Sequence, residues 1–120
     1  MEQTVLKKSF HFAVRTVKLC KYLQEQKKEF VLSKQLLRCG TSIGANVEEA
    51  QQAQSLADFI SKMSIALKEA AEASYWLRLL KATDYLSDEE FGSIMPDCRE
   101  LEKLLTAILK TTKQKQTDGC

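Results

Sequence analysis

Apolar side chains recur every three to four residues in four separate stretches of this chain, which is the spacing of an amphipathic α-helix. The pattern predicts helices at about 4–27, 34–53, 56–83 and 88–112, joined by short polar connections. Glycine and proline are scarce, with four and one respectively, which favours a few long elements. We therefore predict an all-α protein that consists of four helices.

Three local signals place the helix starts. Ser33 is expected to be the N-cap of the second helix, because its hydroxyl can accept a hydrogen bond from an unpaired backbone amide. Ser55 with Asp58, and Ser87 with Glu90, have the spacing of capping signals before the third and fourth helices.

Two features break the pattern near the end of the chain. Pro96 lies inside the fourth helix and predicts a kink or a short irregular turn near 92–96. Residues 113–120 are polar and lysine-rich, which predicts a disordered tail after a single domain at 1–112.

The first helix has one apolar and one basic side. Its predicted core stripe is Leu6, Phe10, Ala13, Val17, Cys20 and Gln24, and the apolar side is widened by Phe12, Leu19 and Leu23. The opposite side is a basic ridge, which consists of Lys8, His11, Arg15 and Lys18 with Tyr22 beside them. Such a ridge is usually a solvated face. The alternative is a nucleic-acid contact through Lys8, Arg15 and Lys18, since basic groups bind phosphates with release of counterions.

The second helix carries an ordered row of polar side chains opposite its core stripe. This polar seam consists of Arg38, Ser42, Asn46 and Glu49, which fall within about a quarter of the helix circumference. The spacing alone favours an ordinary solvated face. The alternative is a structural seam at or near a subunit boundary, where Arg38 could pair with Glu49 or with a carboxylate of a neighbour.

Gly40 and Gly44 lie one turn apart in the same helix. Each glycine costs about 1 kcal/mol of helix propensity relative to alanine. A sequence accepts that cost where a neighbouring helix comes close, so both glycines are predicted to be close-packing points.

The third helix is apolar on two sides. Besides its core stripe it has a second apolar group, Ile65, Trp76 and Leu79, with Glu69 and Glu72 between the two. A helix that is apolar on two sides must cover both. We interpret the second apolar group as an oligomer contact; coverage by helix ends and loops of the same chain is the alternative.

Composition narrows the function classes. The 18 basic and 16 acidic residues give a net charge of +2, which by itself does not indicate a nucleic-acid binder. No apolar run is long enough for a membrane span, so we expect a cytoplasmic protein without membrane association. Four widely spaced cysteines and one histidine lack the paired spacing of zinc ligands, which predicts no metal site.

Catalytic constellations are also missing from the sequence. Ser42 has no histidine within helical reach, and Glu49 beside Asn46 is not a carboxylate pair. We therefore predict no enzymatic activity, no catalytic or cofactor-binding residues, no cofactor and no small-molecule substrate.

The second and third helices carry a recognisable pattern. Arg38-x-x-x-Ser42-Ile43-x-x-Asn46-Val47-x-Glu49 resembles the signature of the four-helix-bundle proteins encoded in intervening sequences of bacterial 23S ribosomal RNA genes. Asp58-Phe59-Ile60, Ile65-Ala66, Glu72 and Leu77 resemble the third-helix pattern of that family, and the similarity spans about residues 5–112. Lys68-Glu69 stands where the family usually has Gly-Ser.

The resemblance implies an antiparallel up-down-up-down four-helix bundle that assembles into a ring, commonly a homopentamer. With such an assembly, the polar seam is expected to be structural and to lie at or near a subunit boundary. The resemblance also implies a relative, the accessory protein of diversity-generating retroelements, which is strongly basic and binds reverse transcriptase and RNA. We therefore expect a non-catalytic oligomeric scaffold or interaction protein. The alternative is an RNA- or DNA-binding accessory module that uses the basic side of the first helix, with a reverse transcriptase as a candidate partner.

Overall fold

A computed structural model describes residues 2–118, which form four helices. They are α1 (Glu2–Glu25), α2 (Leu32–Ala50), α3 (Leu56–Ala82) and α4 (Asp88–Asp118). Each helix packs against its neighbours in sequence, and α4 returns to contact α1. The result is an up-down-up-down bundle of 53 × 22 × 20 Å, which confirms the predicted fold class.

All four helices contribute to one continuous core. Its largest fully buried side chains include Phe12, Leu23, Leu36, Ile43, Met63, Leu77, Leu101 and Leu105. Burial of each such side chain contributes roughly 1.5–3 kcal/mol, so this core supplies most of the driving force for folding.

The core-facing side of α1 differs from the predicted one. The buried stripe is Val5, Ser9, Phe12, Thr16, Cys20 and Leu23, whereas Phe10 and Val17 of the predicted stripe are 66% and 40% exposed. Apolar residues cover more than half of the circumference of α1, so periodicity alone does not fix its rotation. The buried hydroxyls of Ser9 and Thr16 are satisfied by the carbonyl oxygens of Leu6 and Phe12, at 3.2 and 2.8 Å.

The rotation of α1 follows from its close approach to α2. A Cβ atom added to Gly40 would lie 2.6 Å from Thr16 Cγ2, and one added to Gly44 would lie 3.3 Å from the carbonyl oxygen of Ser9. Both glycines are therefore close-packing points, as predicted. Larger residues at Ser9 or Thr16 would force the two helices apart.

Glu29, and not Ser33, caps the start of α2. The Glu29 carboxylate accepts hydrogen bonds from the backbone amides of Val31, Leu32 and Ser33 at 3.1, 2.9 and 2.7 Å. Ser33 is buried one residue inside α2, where its hydroxyl donates to the carbonyl oxygen of Glu29 at 2.8 Å. The prediction failed because a glutamate in the preceding connection reaches three orphan amides, whereas a serine hydroxyl reaches one.

The other two capping predictions are confirmed. Ser55 Oγ accepts from the amide of Asp58 at 3.0 Å. Ser87 and Glu90 form a reciprocal capping box, with N–H···O distances of 3.0 and 2.8 Å. In each pair the two residues lie within one helical turn of each other, so the capping hydrogen bonds do not depend on how the helices pack.

The last helix is longer and more regular than predicted. Residues 92–96 are helical, although Pro96 cannot donate a hydrogen bond to Gly92. The helix also continues from 113 to Asp118, where the sequence predicts disorder; Gly119 and Cys120 lie outside the described residues. An established helix extends through lysine and glutamine at little free-energy cost, and Thr112 is buried at the point where the extension begins.

Candidate interaction face on helices α2 and α3

The polar seam lies along the line where α2 packs against α3, and ion pairs mark both of its ends. At one end the Arg38 guanidinium donates a hydrogen bond to Glu72 and lies 3.5 Å from Glu69 Oε2. At the other end Lys62 Nζ lies 3.4 Å from Glu49 Oε1. Arg38 and Glu49 thus each pair with α3 of the same chain rather than with each other.

Ser42 and Asn46 occupy the middle of the polar seam. The Asn46 side-chain amide donates to the Ser42 carbonyl oxygen at 2.9 Å and to Ser42 Oγ at 3.1 Å. Both side chains are half-buried and satisfied within α2, so this part of the face is small, flat and preorganised.

The second apolar group borders the polar seam on α3. Trp76 is half-buried against the core, and its indole Nε1 donates to Glu72 Oε2 at 3.0 Å. Ile65 is 38% exposed, whereas Leu79 is half-buried. The chain therefore covers Trp76 and Leu79 in part, and Ile65 keeps more than a third of its surface exposed.

An exposed aromatic extends this group outward. Tyr75, 50% exposed, packs edge-to-face on Trp76 with a centroid distance of 5.1 Å, and Arg78 lies 5.9 Å from the Tyr75 ring. We call this surface the α2–α3 face. It consists of the polar seam, the second apolar group, Tyr75, and the α3 residues that pair with the seam, namely Lys62, Glu69 and Glu72. The sequence pattern indicates most of this face but not Tyr75, which adjoins Trp76 in sequence.

Arg38 offsets negative charge that lies close to the core. Glu69 Oε2 is shielded from solvent and has no hydrogen-bond donor, so Arg38 Nη1 at 3.5 Å is its nearest compensation. Burial, with a smaller contribution from Glu72, raises the pKa of the neighbouring Cys39 thiol to about 12, and Arg38 opposes this rise. Removal of Arg38 would therefore leave carboxylates poorly compensated beside the core.

The basic ridge of α1 lies along α4, and two of its three candidate nucleic-acid contacts are occupied. Lys8 Nζ lies 3.0 Å from Glu100 Oε1. Arg15 bonds Asp97 Oδ2 at 2.8 Å and both the hydroxyl and the carbonyl oxygen of Ser93 at 2.6 and 2.9 Å. Lys18 is exposed. Two members of the ridge, Lys8 and Arg15, thus link α1 to α4.

An open groove of about 800 Å³ separates α1 from α4 beyond Arg15. Leu19, Tyr22 and Ile94 form its apolar part, with Lys18 and Glu89 among the charged groups around it. The sequence carries no signal for this groove, because the width of the groove depends on how far apart the two helices pack.

A second feature missed by sequence analysis is an apolar row on the outside of α1. It consists of Phe10, Val14 and Val17, which are 66%, 36% and 40% exposed, and we call it the α1 strip. The sequence pattern places Phe10 and Val17 in the core stripe and makes no prediction for Val14. One signal in the sequence could have revealed the α1 strip: α1 has more apolar residues than a single core stripe can bury.

Among residues 2–118 the structure holds neither a metal-binding cluster nor a membrane-spanning helix. No group of three or more histidine, cysteine, aspartate or glutamate side chains in that range is arranged to hold a metal ion. No described helix combines sufficient length with sufficient hydropathy to cross a bilayer.

Comparisons with known proteins connect the chain to one family. The model of the 23S rRNA-intervening sequence protein family matches residues 1–107. A crystal structure from Bacteroides thetaiotaomicron, of a protein with unknown function from the S23 ribosomal protein family, is 57% identical to this chain. The match covers 91% of this chain and 97% of that chain, with a TM-score of 0.90. No curated protein matches the chain.

Proposed function

The chain belongs to the 23S rRNA-intervening sequence protein family, and from this starting point we propose that it acts as a non-catalytic scaffold assembled from several copies of itself. In this proposal the α2–α3 face is a subunit boundary. A single observation carries it: the side chains that dominate protein interfaces are concentrated on this face and are already fixed in place.

The composition of the α2–α3 face supports this role. Tryptophan, tyrosine and arginine are the residues most enriched at interface hot spots. Here Trp76 packs edge-to-face with Tyr75 and shares the Glu72 carboxylate with Arg38. Ile65, about three helical turns earlier on α3, adds exposed hydrocarbon to the same face. A solvated face of a bundle helix is normally made of lysine, glutamate and glutamine instead.

The rigidity of the face also supports it. Glu72 accepts from both Arg38 and Trp76, so two long side chains are held in one geometry before any partner arrives. Immobilising a rotamer-rich side chain on binding costs roughly 0.5–1.5 kcal/mol, and here part of that cost is already met during folding.

The chemistry of the described nucleophiles supports a non-catalytic role. Burial raises the pKa of the Cys20, Cys39 and Cys98 thiols to about 12, which keeps them protonated. The Ser42 hydroxyl accepts from Asn46 and has no described base beside it. These thiols and the Ser42 hydroxyl are therefore poor nucleophiles, which agrees with a structural role.

The test is the mass in solution. Size-exclusion chromatography with light scattering at micromolar concentration should give a wild-type mass that is a multiple of 13.6 kDa. Ile65→Glu places a charge on the boundary and should reduce the mass to that of one chain, with an unchanged helical circular dichroism spectrum.

Ala107→Glu provides the matched control, because Ala107 is exposed on α4, away from the α2–α3 face. This variant should keep the wild-type mass. A wild-type protein that elutes as a 13.6 kDa monomer would end the proposal, and an Ile65→Glu variant with wild-type mass would exclude the α2–α3 face as the boundary.

A further inference from the structure

The groove between α1 and α4 has the size of a small-molecule site. Its volume is about 800 Å³. Pockets that bind small ligands have volumes of roughly 300–1,000 Å³. The apolar floor consists of the half-buried Leu19 and Tyr22 with the buried Ile94. The two half-buried side chains keep apolar surface in contact with water, so a ligand that covers them gains hydrophobic free energy.

One end of the groove is closed. There Arg15 bridges the two helices through Asp97 Oδ2 at 2.8 Å and Ser93 Oγ at 2.6 Å. From this bridge the floor runs about 10 Å along α1 to Tyr22, and it opens where α1 ends and α4 begins. A helix of a partner protein would have to pass through the Arg15 bridge, whereas a molecule about 10 Å long fits in front of it.

Two lysines that line the groove are available to bind an anion. Lys18 is exposed, and Lys27 Nζ lies over the Tyr22 ring, 6.0 Å from its centroid. Neither ammonium makes an ion pair with a carboxylate among residues 2–118. An anionic group above the Tyr22 ring can therefore approach both lysines without displacing a partner of either.

The other charges of the lining are mostly occupied within the chain. Arg15 is paired with Asp97. Glu90 Oε1 accepts a hydrogen bond from the backbone amide of Ser87 in the capping box at the start of α4. Glu89 is exposed and makes no ion pair among the described residues, so the unpaired charges of the lining are two ammonium groups against one carboxylate.

The charges that flank the lining in sequence do not alter this balance. Three lysines and three carboxylates flank it: Lys21, Glu25, Lys28, Lys81, Asp84 and Asp88. Of these, Lys81 Nζ pairs with Asp88 Oδ1 at 2.7 Å. Glu29 is buried and is held by three amides of α2. The lining thus keeps its small excess of positive charge.

We infer that the groove between α1 and α4 binds a small organic anion. The apolar body of this ligand, about 10 Å long, lies on the floor formed by Leu19, Tyr22 and Ile94, and its anionic group contacts Lys18 and Lys27. The ligand is bound without reaction and joins α1 to α4. The inference goes beyond the proposed function and does not rest on it, because the groove lies within one chain.

A pair of dyes that differ in charge tests the inference. Anilinonaphthalene sulfonate combines a three-ring aromatic body with one anionic group, and it fluoresces when it is shielded from water. Titrated into the full chain, it should bind one site per chain at micromolar concentration. The uncharged phenylnaphthylamine has the same body without the sulfonate and should bind at least tenfold more weakly. Absence of binding, or equal affinity for both dyes, would overturn the inference.

Charge variants locate the anionic group. Lys18→Gln with Lys27→Gln should weaken binding of the sulfonate dye at least tenfold and leave binding of the uncharged dye unchanged. Lys21→Gln with Lys34→Gln is the matched control, because it removes the same number of charges from exposed positions outside the lining. At about 150 mM salt, where charges are screened beyond about 8 Å, this control should keep the wild-type affinity. Glu89→Gln should strengthen binding of the sulfonate dye. If both double variants weakened binding equally, net charge alone would explain the effect and the inference would be wrong.

The α1 strip is the competing site for an apolar dye, because Phe10 is 66% exposed. Phe10→Ser should leave the affinity unchanged, and loss of binding in this variant would place the dye on the strip instead. Hydrogen exchange locates the dye without any substitution: bound dye should slow the amides of residues 15–27 and 87–94. Protection confined to other segments would contradict the inference. The mass of the protein in solution does not enter these measurements, so the inference and the proposed function can fail separately.

Discussion

Gly40 of α2 and Thr16 of α1 are in such close contact that residue 40 has no room for a side chain. A Cβ atom at Gly40 would lie 2.6 Å from Thr16 Cγ2 and 2.8 Å from Thr16 Oγ1. Threonine is branched at Cβ and its hydroxyl donates to the Phe12 carbonyl oxygen at 2.8 Å, so its side chain cannot rotate away without losing that bond. This contact sets the distance between the first two helices.

The first prediction concerns Gly40→Ala. Alanine gains about 1 kcal/mol of helix propensity, but overpacking of a tight contact costs typically about 1–3 kcal/mol. We expect a net loss of stability in urea unfolding at fixed protein concentration. Adding Thr16→Ala should recover part of the loss by removing the opposing methyl and hydroxyl groups.

Gly92→Ala is the control for that prediction. Gly92 lies in α4 with nothing within 4 Å of an added Cβ, so alanine there should stabilise by about 0.5–1 kcal/mol. If both glycine variants shifted stability by the same amount, the close approach of α1 and α2 would not be the cause.

The second prediction concerns the cap of α2. Burial on its own would raise the pKa of Glu29, but hydrogen bonds from the amides of Leu32, Ser33 and Val31 lower it below the ordinary value. Glu29→Gln should therefore cost about 1–2 kcal/mol at pH 7, measured by urea unfolding. Glu25→Gln, at an exposed position, should be neutral.

The difference in unfolding free energy between wild type and Glu29→Gln should depend on pH with a definite sign. Because the folded-state pKa of Glu29 is lowered, its stabilisation is fully present above the unfolded-state pKa of about 4.3 and is lost as the pH falls through the folded-state pKa. The gap between wild type and Glu29→Gln should thus narrow below about pH 4. A gap that stayed constant from pH 7 to pH 3 would contradict a charged cap.

The third prediction concerns the connection between α1 and α2. Lys28 has a φ of 56°, in the left-handed region that side chains with a Cβ disfavour. Lys28→Gly should therefore stabilise by about 0.5–1 kcal/mol in thermal or urea unfolding. Lys27→Gly, one residue earlier and without a positive φ, should destabilise; equal effects at the two positions would rule out backbone strain as the cause.

The fourth prediction concerns thiol reactivity. With the pKa of Cys20, Cys39 and Cys98 raised to about 12 by burial, only about one thiol in ten thousand is ionised at pH 8. In a Cys120→Ser background, Ellman's reagent should label the folded protein at least about a hundredfold more slowly than the protein in urea. Rapid labelling of the native protein would show that the bundle opens at one of these positions.

The features that the sequence predicted correctly depend on residues close together in the chain. The caps at Ser55 and Ser87 and the four helix locations are decided within a few turns, so the local pattern is sufficient. The glycine pair in α2 was also predictable, because glycines inside a helix are costly and close packing is a common compensation.

The features that the sequence did not predict depend on how one helix is placed against another. Phe10 was assigned to the core because α1 has more apolar residues than the core can accept, and the contacts of Ser9 and Thr16 with α2 decide which ones are buried. Arg38 was identified, but its partners Glu69 and Glu72 follow from the register of α2 against α3. The subunit boundary stays a prediction, since it concerns more than one chain.

The groove between α1 and α4 has a consequence for the order in which the bundle forms and opens. The contacts of α1 with α2, α2 with α3 and α3 with α4 join neighbours in sequence, so each can form early as a helical hairpin. The junction of α1 with α4 joins the two ends of the chain and is the least extensively packed. We expect it to close last during folding, and the amides of α1 and α4 beside the groove to be the first in the bundle to exchange their hydrogens with solvent.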